Sequence, residues 1–300
     1  MPQPVERPRD GKERMHDMKI AIATDSTSGI YPNEAQELGI SVLPMPVTID
    51  GQEYLETVNL EHDFFFRKQQ EGAQITTSQP APADLEDLWN NLLKTHDAVL
   101  YLPMTSGLSS SYASALALSD DYDGKVAIVD TRRISVPLYQ MAVDAKKLAD
   151  RGLPLQEIRT RLEEKALSAS IYLTPTTLEY LKKGGRVTPA AAAIGTVLNI
   201  KPVLQIQGAG VDAYAKVRGM KQAAEKMFSA LDQDLETRFA GKNVRIFAAY
   251  SGDASVGEAW KAQLEARYGD RFVRIDHLAL NVCCHTGPGT VGVACAEVEE

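Results

Sequence analysis

Three short clusters in this 300-residue chain place side chains able to hold an anion or move a proton beside glycine or proline. The first is Thr76-Thr77-Ser78, directly ahead of Gln79 and Pro80. The second is TSGLSSSY at 105–112, and the third is CCHTGPGT at 283–290, where His285 precedes a Gly-Pro-Gly turn. Hydroxyls and an imidazole can donate hydrogen bonds to an oxyanion without a fixed charge of their own. A serine of the second cluster with His285 could instead be two parts of an acyl hydrolase. Each cluster also has a plain reading. Serine and threonine cap helices, and a histidine among apolar residues is often a satisfied core residue. What capping leaves unexplained is why two hydroxyl clusters precede two helices at similar places in the chain. Two such clusters could converge on one anion.

Other chemistries find little support. GDASVGEA at 252–259 has the glycine spacing of a phosphate-binding loop, but Glu258 stands where lysine is required. QGAGVDA lacks the third glycine of a dinucleotide loop, so no nucleotide cofactor is expected. The contiguous Cys283-Cys284-His285 cannot easily wrap a tetrahedral metal ion, and no second ligand pair is visible. A net charge of −8 without a basic stripe argues against a nucleic-acid partner. Three cysteines cannot build a disulfide framework, which fits a reducing cytoplasm. The apolar run from Ala190 to Leu198 is far too short to span a bilayer. His285 has no evident acidic partner, and no G-x-S-x-G elbow is present, which weakens the hydrolase reading. Arg186 in LKKGGRVT and Arg218 in KVRGMK lie in glycine-marked segments. They read either as solvated surface charge or as a docking patch.

The elements that must position these clusters follow from apolar patterning. KIAIATD (19–25), ISVLPMPV (40–47), DAVLYLP (97–103) and KVAIVD (125–130) read as buried strands with helices between them, the pattern of a parallel sheet covered on both faces. Asp50-Gly51 marks a hairpin, and Pro82 fits the first turn of a helix. After Arg151-Gly152 the pattern becomes ASIYLT, IKPVLQI, a QGAGVDAYAKV hairpin, VRIFAAY and FVRIDHL with helices interspersed, suggesting a second, α+β domain. The expected division is a polar, disordered extension at 1–17, an α/β domain at 18–165 and an α+β domain at 166–300.

With these pieces assembled, the chain closely resembles the DegV family of bacterial fatty-acid-binding proteins that serve fatty acid kinases. The likeness runs from about Met18 to the C-terminus. It is carried by ATDSTSGI, TTSQPAPAD, TSGLSSSY, LKKGGRVTPAAAAIGTVLNIKPVL, KVRGMK and CHTGPGTVGV, in the family's order. The resemblance implies a two-domain α/β fold with an acyl chain between the domains and no cofactor. It implies that Thr77, Ser109 and His285 hold the ligand carboxylate; Thr76, Ser78, Ser106 and Gly287, from the same segments, are candidates for a secondary site. It further implies that Arg186 and Arg218 lie near the mouth and dock a separate ATP-dependent kinase, which phosphorylates the bound acid for lipid synthesis. On this reading the chain is a carrier and not itself an enzyme. A lipid-binding regulator without a kinase is the remaining alternative. Two departures from the family's usual pattern are Ala81 in place of serine and Ser110 in place of glycine, the second adding a side chain beside the expected carboxylate site.

Overall fold

Strand β1 (Ile20–Asp25) is buried along its whole length, as a strand must be when both sheet faces are covered. Helix α1 (Pro32–Leu38) returns the chain to β2 (Ile40–Leu43) beside it. Next come β3 (Pro46–Ile49), β4 (Gln52–Leu55), α2 (His62–Gln70), β5 (Ile75–Thr77), α3 (Pro82–Leu92), β6 (Ala98–Leu102), α4 (Ser111–Ser119), β7 (Val126–Ile128), α5 (Val136–Asp150) and α6 (Leu155–Glu164). The order β2-β1-β6-β7 forms a four-stranded sheet, parallel at every pairing. Alternate residues serve opposite cores. Ile20, Ile22, Leu100 and Leu102 meet Leu138 and Met141 of α5, while Ala21, Val99 and Tyr101 meet Trp89 of α3 and Ala115 of α4. The structure, a computed structural model, describes residues 18–193 and 200–299. The extension expected at 1–17 lies outside them, as do residues 194–198 of the apolar run from Ala190 to Leu198.

The run 40–47 is not one strand but two, in different sheets. Pro44 separates them, and without an N–H it cannot extend the ladder that ends at Asp25 opposite Leu43. Beyond it, β3 is the middle of a small antiparallel sheet, β4-β3-β5. Asp50 and Gly51 both take positive φ, 50° and 84°, as a two-residue hairpin turn demands.

The second domain contains β8 (Ala169–Thr174), α7 (Glu179–Gly184), α8 (Pro189–Ala192), β9 (Ile200–Ile206), β10 (Asp212–Arg218), α9 (Gly219–Glu236), β11 (Val244–Tyr250), α10 (Ala254–Tyr268), β12 (Phe272–His277), α11 (Leu280–Thr286) and β13 (Val291–Glu297). Its six strands run β10-β9-β8-β13-β11-β12, antiparallel except for the β11–β12 pair. One face packs under α9 and α10, with Met227, Leu231, Trp260 and Leu264 over Val293 and Ile246. The other face sends Phe247, Ala294 and Ala296 toward Val47, Ile49 and Phe65. The small three-stranded sheet is thereby fastened to the second domain. The loop after β6 is fastened too. A Cβ on Gly107 would stand 2.7 Å from the Ala209 backbone in the β9–β10 turn, so only glycine allows that approach. Thr105 Oγ1 donates to the Gly208 carbonyl at 3.0 Å in the same contact.

Candidate functional site

The three hydroxyls of TTS are sorted by strand geometry. Residues of β5 pair with β3 as Ile75–Ile49, Thr76–Thr48 and Thr77–Val47. Side chains alternate across a strand, so Thr77 shares the inner face of Ile75 while Thr76 is exposed. None of the three caps α3, whose N-cap is Ala81 without a side-chain bond. The 105–112 hydroxyls are sorted likewise. Ser106 donates to Asp130 at 3.0 Å. Ser109 Oγ receives the Ser111 N–H at 3.1 Å and shares a 2.7 Å hydrogen bond with the Ser111 hydroxyl. Ser110 is exposed and begins α4.

His285 sits near the end of α11, and its Nε2 lies 3.0 Å from Thr77 Oγ1. Its Nδ1 is buried and has no hydrogen-bond partner. Burial, helped by the positive charge of Arg186, pushes its pKa down to about 4, so the ring is neutral near pH 7. The ring fits because residue 184 is glycine. A Cβ there would stand 2.1 Å from His285 Nδ1. Gly287, at φ 71°, is the turn after the helix, and a Cβ on it would stand 2.3 Å from the Tyr180 ring.

Thr77, Ser109 and His285 all line one cavity, together with Ser78, Gln79 and Arg186. Its walls come from both domains: Met45, Met104, Leu108 and Ile134 on one side, Leu173, Leu181, Ile206 and Val293 on the other. The space between protein atoms, open mouth included, is about 960 Å³. It is an apolar container with polar side chains gathered among its lining. Thr76, Ser106 and Gly287 of the expected secondary set do not line it; of that set only Ser78 does. Thr76 is on the exposed face of β5, Ser106 is bonded to Asp130, and Gly287 ends α11.

Arg186, expected near the mouth, lines the cavity. It is exposed, with Nη1 donating to the Gly184 carbonyl at 2.5 Å, and it depresses the His285 pKa. Arg218, at the end of β10, is exposed and outside the cavity lining. Sequence reasoning did not identify Gly184, Gln79 or Asn281. The doubled glycine of KKGGR was a signal for the first, whereas Asn281, 4% exposed and lining the cavity, gave none. Among the described residues no three His, Cys, Asp or Glu side chains gather as a metal ion requires. No helix among them is long and apolar enough to cross a membrane.

A family model described as "Uncharacterised protein, DegV family" matches residues 19–298. A DegV domain-containing protein of Deinococcus radiodurans is 33% identical over 288 residues, spanning 92% of this chain and 98% of that one. Among solved structures, a fatty-acid-binding DegV family protein of Thermus thermophilus superimposes with a TM-score of 0.83 at 32% identity, covering 94% of this chain and 100% of its own. DegV of Bacillus subtilis, described as a fatty acid binding protein, gives 0.81 at 26% identity, with 93% and 99% covered. With a family model spanning nearly the whole described chain, this protein belongs to the DegV family.

Proposed function

We propose that this chain binds a long-chain fatty acid, seats its carboxylate among Thr77, Ser109 and His285, and presents it to a separate ATP-dependent kinase. The observation that carries the reading is that those three side chains line one largely apolar cavity walled by both domains. Each methylene buried there would contribute roughly 0.8 kcal/mol. A carboxylate buried without partners would cancel several kilocalories of that gain. Two hydroxyls and a neutral imidazole can donate to it, and Arg186 at the mouth adds a favourable charge. The fatty-acid binding described for the Thermus and Bacillus proteins supports the same ligand class. On this reading the proposed domains, 18–165 and 166–300, are the two halves of the container.

Geometry favours a carrier over a hydrolase. The Ser109 hydroxyl is bonded to Ser111 and not to His285, while His285 Nε2 is bonded to Thr77. His285 Nδ1 has no carboxylate to orient it. Phosphorylation of the bound acid would therefore fall to a partner kinase, with Arg218 serving its docking and Arg186 serving both docking and ligand. Cytoplasmic residence follows from this role. Native mass spectrometry of the purified protein tests the reading. A bound species with the mass of a fatty acid supports it, whereas hydrolysis of a simple acyl ester at an enzyme-like rate overturns it.

A further inference from the structure

The DSTS segment at 25–28 is wholly buried, yet none of its residues lines the cavity. Ser26 Oγ accepts the Met45 N–H at 3.0 Å and donates to Glu56 Oε2 at 2.7 Å. The other Glu56 oxygen accepts the N–H of Leu280, the first residue of α11. Glu56 is itself 3% exposed, and its N–H bonds the Met45 carbonyl at 3.2 Å. One buried carboxylate thus joins the DSTS turn, the segment carrying cavity-lining Met45, and the helix carrying His285. It follows β4, in the same small sheet that holds Thr77 on β5.

We propose that Glu56 is a positioning residue for the carboxylate site: when ionised it fixes α11, and with it His285, against the sheet that carries Thr77. This deepens the fatty-acid reading and rests on it. Ionised, Glu56 accepts from both Ser26 and Leu280 while Ser26 remains free to accept from Met45, so every group is satisfied. Protonated, one Glu56 oxygen becomes a donor, and the Ser26 hydroxyl hydrogen loses its acceptor. The join loosens where α11 begins. Burial raises the Glu56 pKa to about 7, partly offset by the hydrogen bonds from Ser26 and from α11, so this change falls near neutrality. The titratable groups around it are Asp25 behind Ser26, Tyr31 ahead of α1, and Cys283 and Cys284 on α11. Burial raises the phenol and both thiols above their ordinary values, so these three stay neutral at pH 7. Burial raises the Asp25 pKa as well, against the bonds it accepts from Thr27 and the Met104 N–H, and its charge is a further cause of the raised Glu56 pKa.

The test is oleate affinity against pH, alongside ¹⁵N NMR of the His285 ring in the ligand-free protein. The wild type is expected to lose affinity as pH falls through about 7. Glu56→Gln should lack that step, bind oleate about tenfold more weakly at pH 8, and show a displaced His285 signal while melting close to the wild type. Ser26→Ala keeps the carboxylate but removes a bond that lowers its pKa, so the step should move upward. It serves equally if the glutamine variant does not fold. Wild-type affinity, an unmoved step and an unchanged His285 signal in the variants would overturn the proposal, as would affinity that rises when Glu56 protonates. If the wild type does not bind oleate at all, the fatty-acid reading fails, while the His285 signal still decides the positioning role.

Discussion

Gly184→Ala places one methyl group where the structure leaves no room for it. Gly184 ends α7 with a backbone that any L-residue can adopt, so the substitution strains nothing locally. Helix propensity alone would favour it by about 1 kcal/mol. The new Cβ, however, would stand 2.1 Å from His285 Nδ1, 2.8 Å from Cε1 and 3.3 Å from Cγ. To regain ordinary contact the ring must retreat by about 1.3 Å. The Thr77–His285 hydrogen bond, 3.0 Å long, then no longer fits, and a carboxylate seated there loses its imidazole donor. A hydrogen bond to a charged group contributes about 1.5–3 kcal/mol, so affinity should fall roughly 10- to 150-fold. Titration calorimetry with oleate and a thermal melt on the same preparation separate the two effects. The expected result is weaker binding without a matching fall in melting temperature. Wild-type affinity in this variant would refute the assignment of His285 to the ligand.

Ser109→Ala should weaken fatty-acid binding by about 1–3 kcal/mol, read by the same titration, because a buried carboxylate loses a donor. Arg186→Ala should lower both oleate affinity and acyl phosphate formation with the kinase; Arg218→Ala should lower only the second, with a salt dependence measured by repeating the assay at raised ionic strength. The isolated protein given oleate and ATP should form no acyl phosphate, as phosphate-release assays would report. The His285 pKa is about 4 in the fold against 6.5 for the free side chain, so the unfolded chain takes up the proton first. Its contribution to stability is therefore complete above pH 6.5 and is lost as pH falls toward 4. Chemical denaturation of His285→Gln across that window should show a shallower decline than the wild type.

The strands of the parallel sheet were legible because burial on both faces leaves unbroken apolar runs, as in IAIATD and AVLYL. The Asp50-Gly51 hairpin was legible from turn chemistry. ISVLPMPV misled because apolar character does not say which sheet a strand joins, and only the missing N–H of Pro44 hints at the break. The C-terminal β13 escaped notice although it lies centrally in its sheet, since VGVACAE is built of small residues whose burial comes from neighbours far away in sequence. α11 was equally hidden, being a helix of only seven residues. At the site, residue type pointed to two hydroxyl clusters and to His285, but not to which hydroxyl of each cluster turns inward; only the family resemblance singled out Thr77 and Ser109. Strand alternation settles that for Thr77 over Thr76. The gap at Gly184 and the bridge through Glu56 join residues about 100 and 224 positions apart, and no local pattern can announce such pairs.

A crystal structure of the protein loaded with oleate would locate the carboxylate outright. The expected result is an elongated chain among Met45, Leu108, Leu173 and Ile206, with its carboxylate within about 3 Å of Thr77 Oγ1, Ser109 Oγ and His285 Nε2. A carboxylate held elsewhere, or an acyl chain outside this cavity, would contradict it.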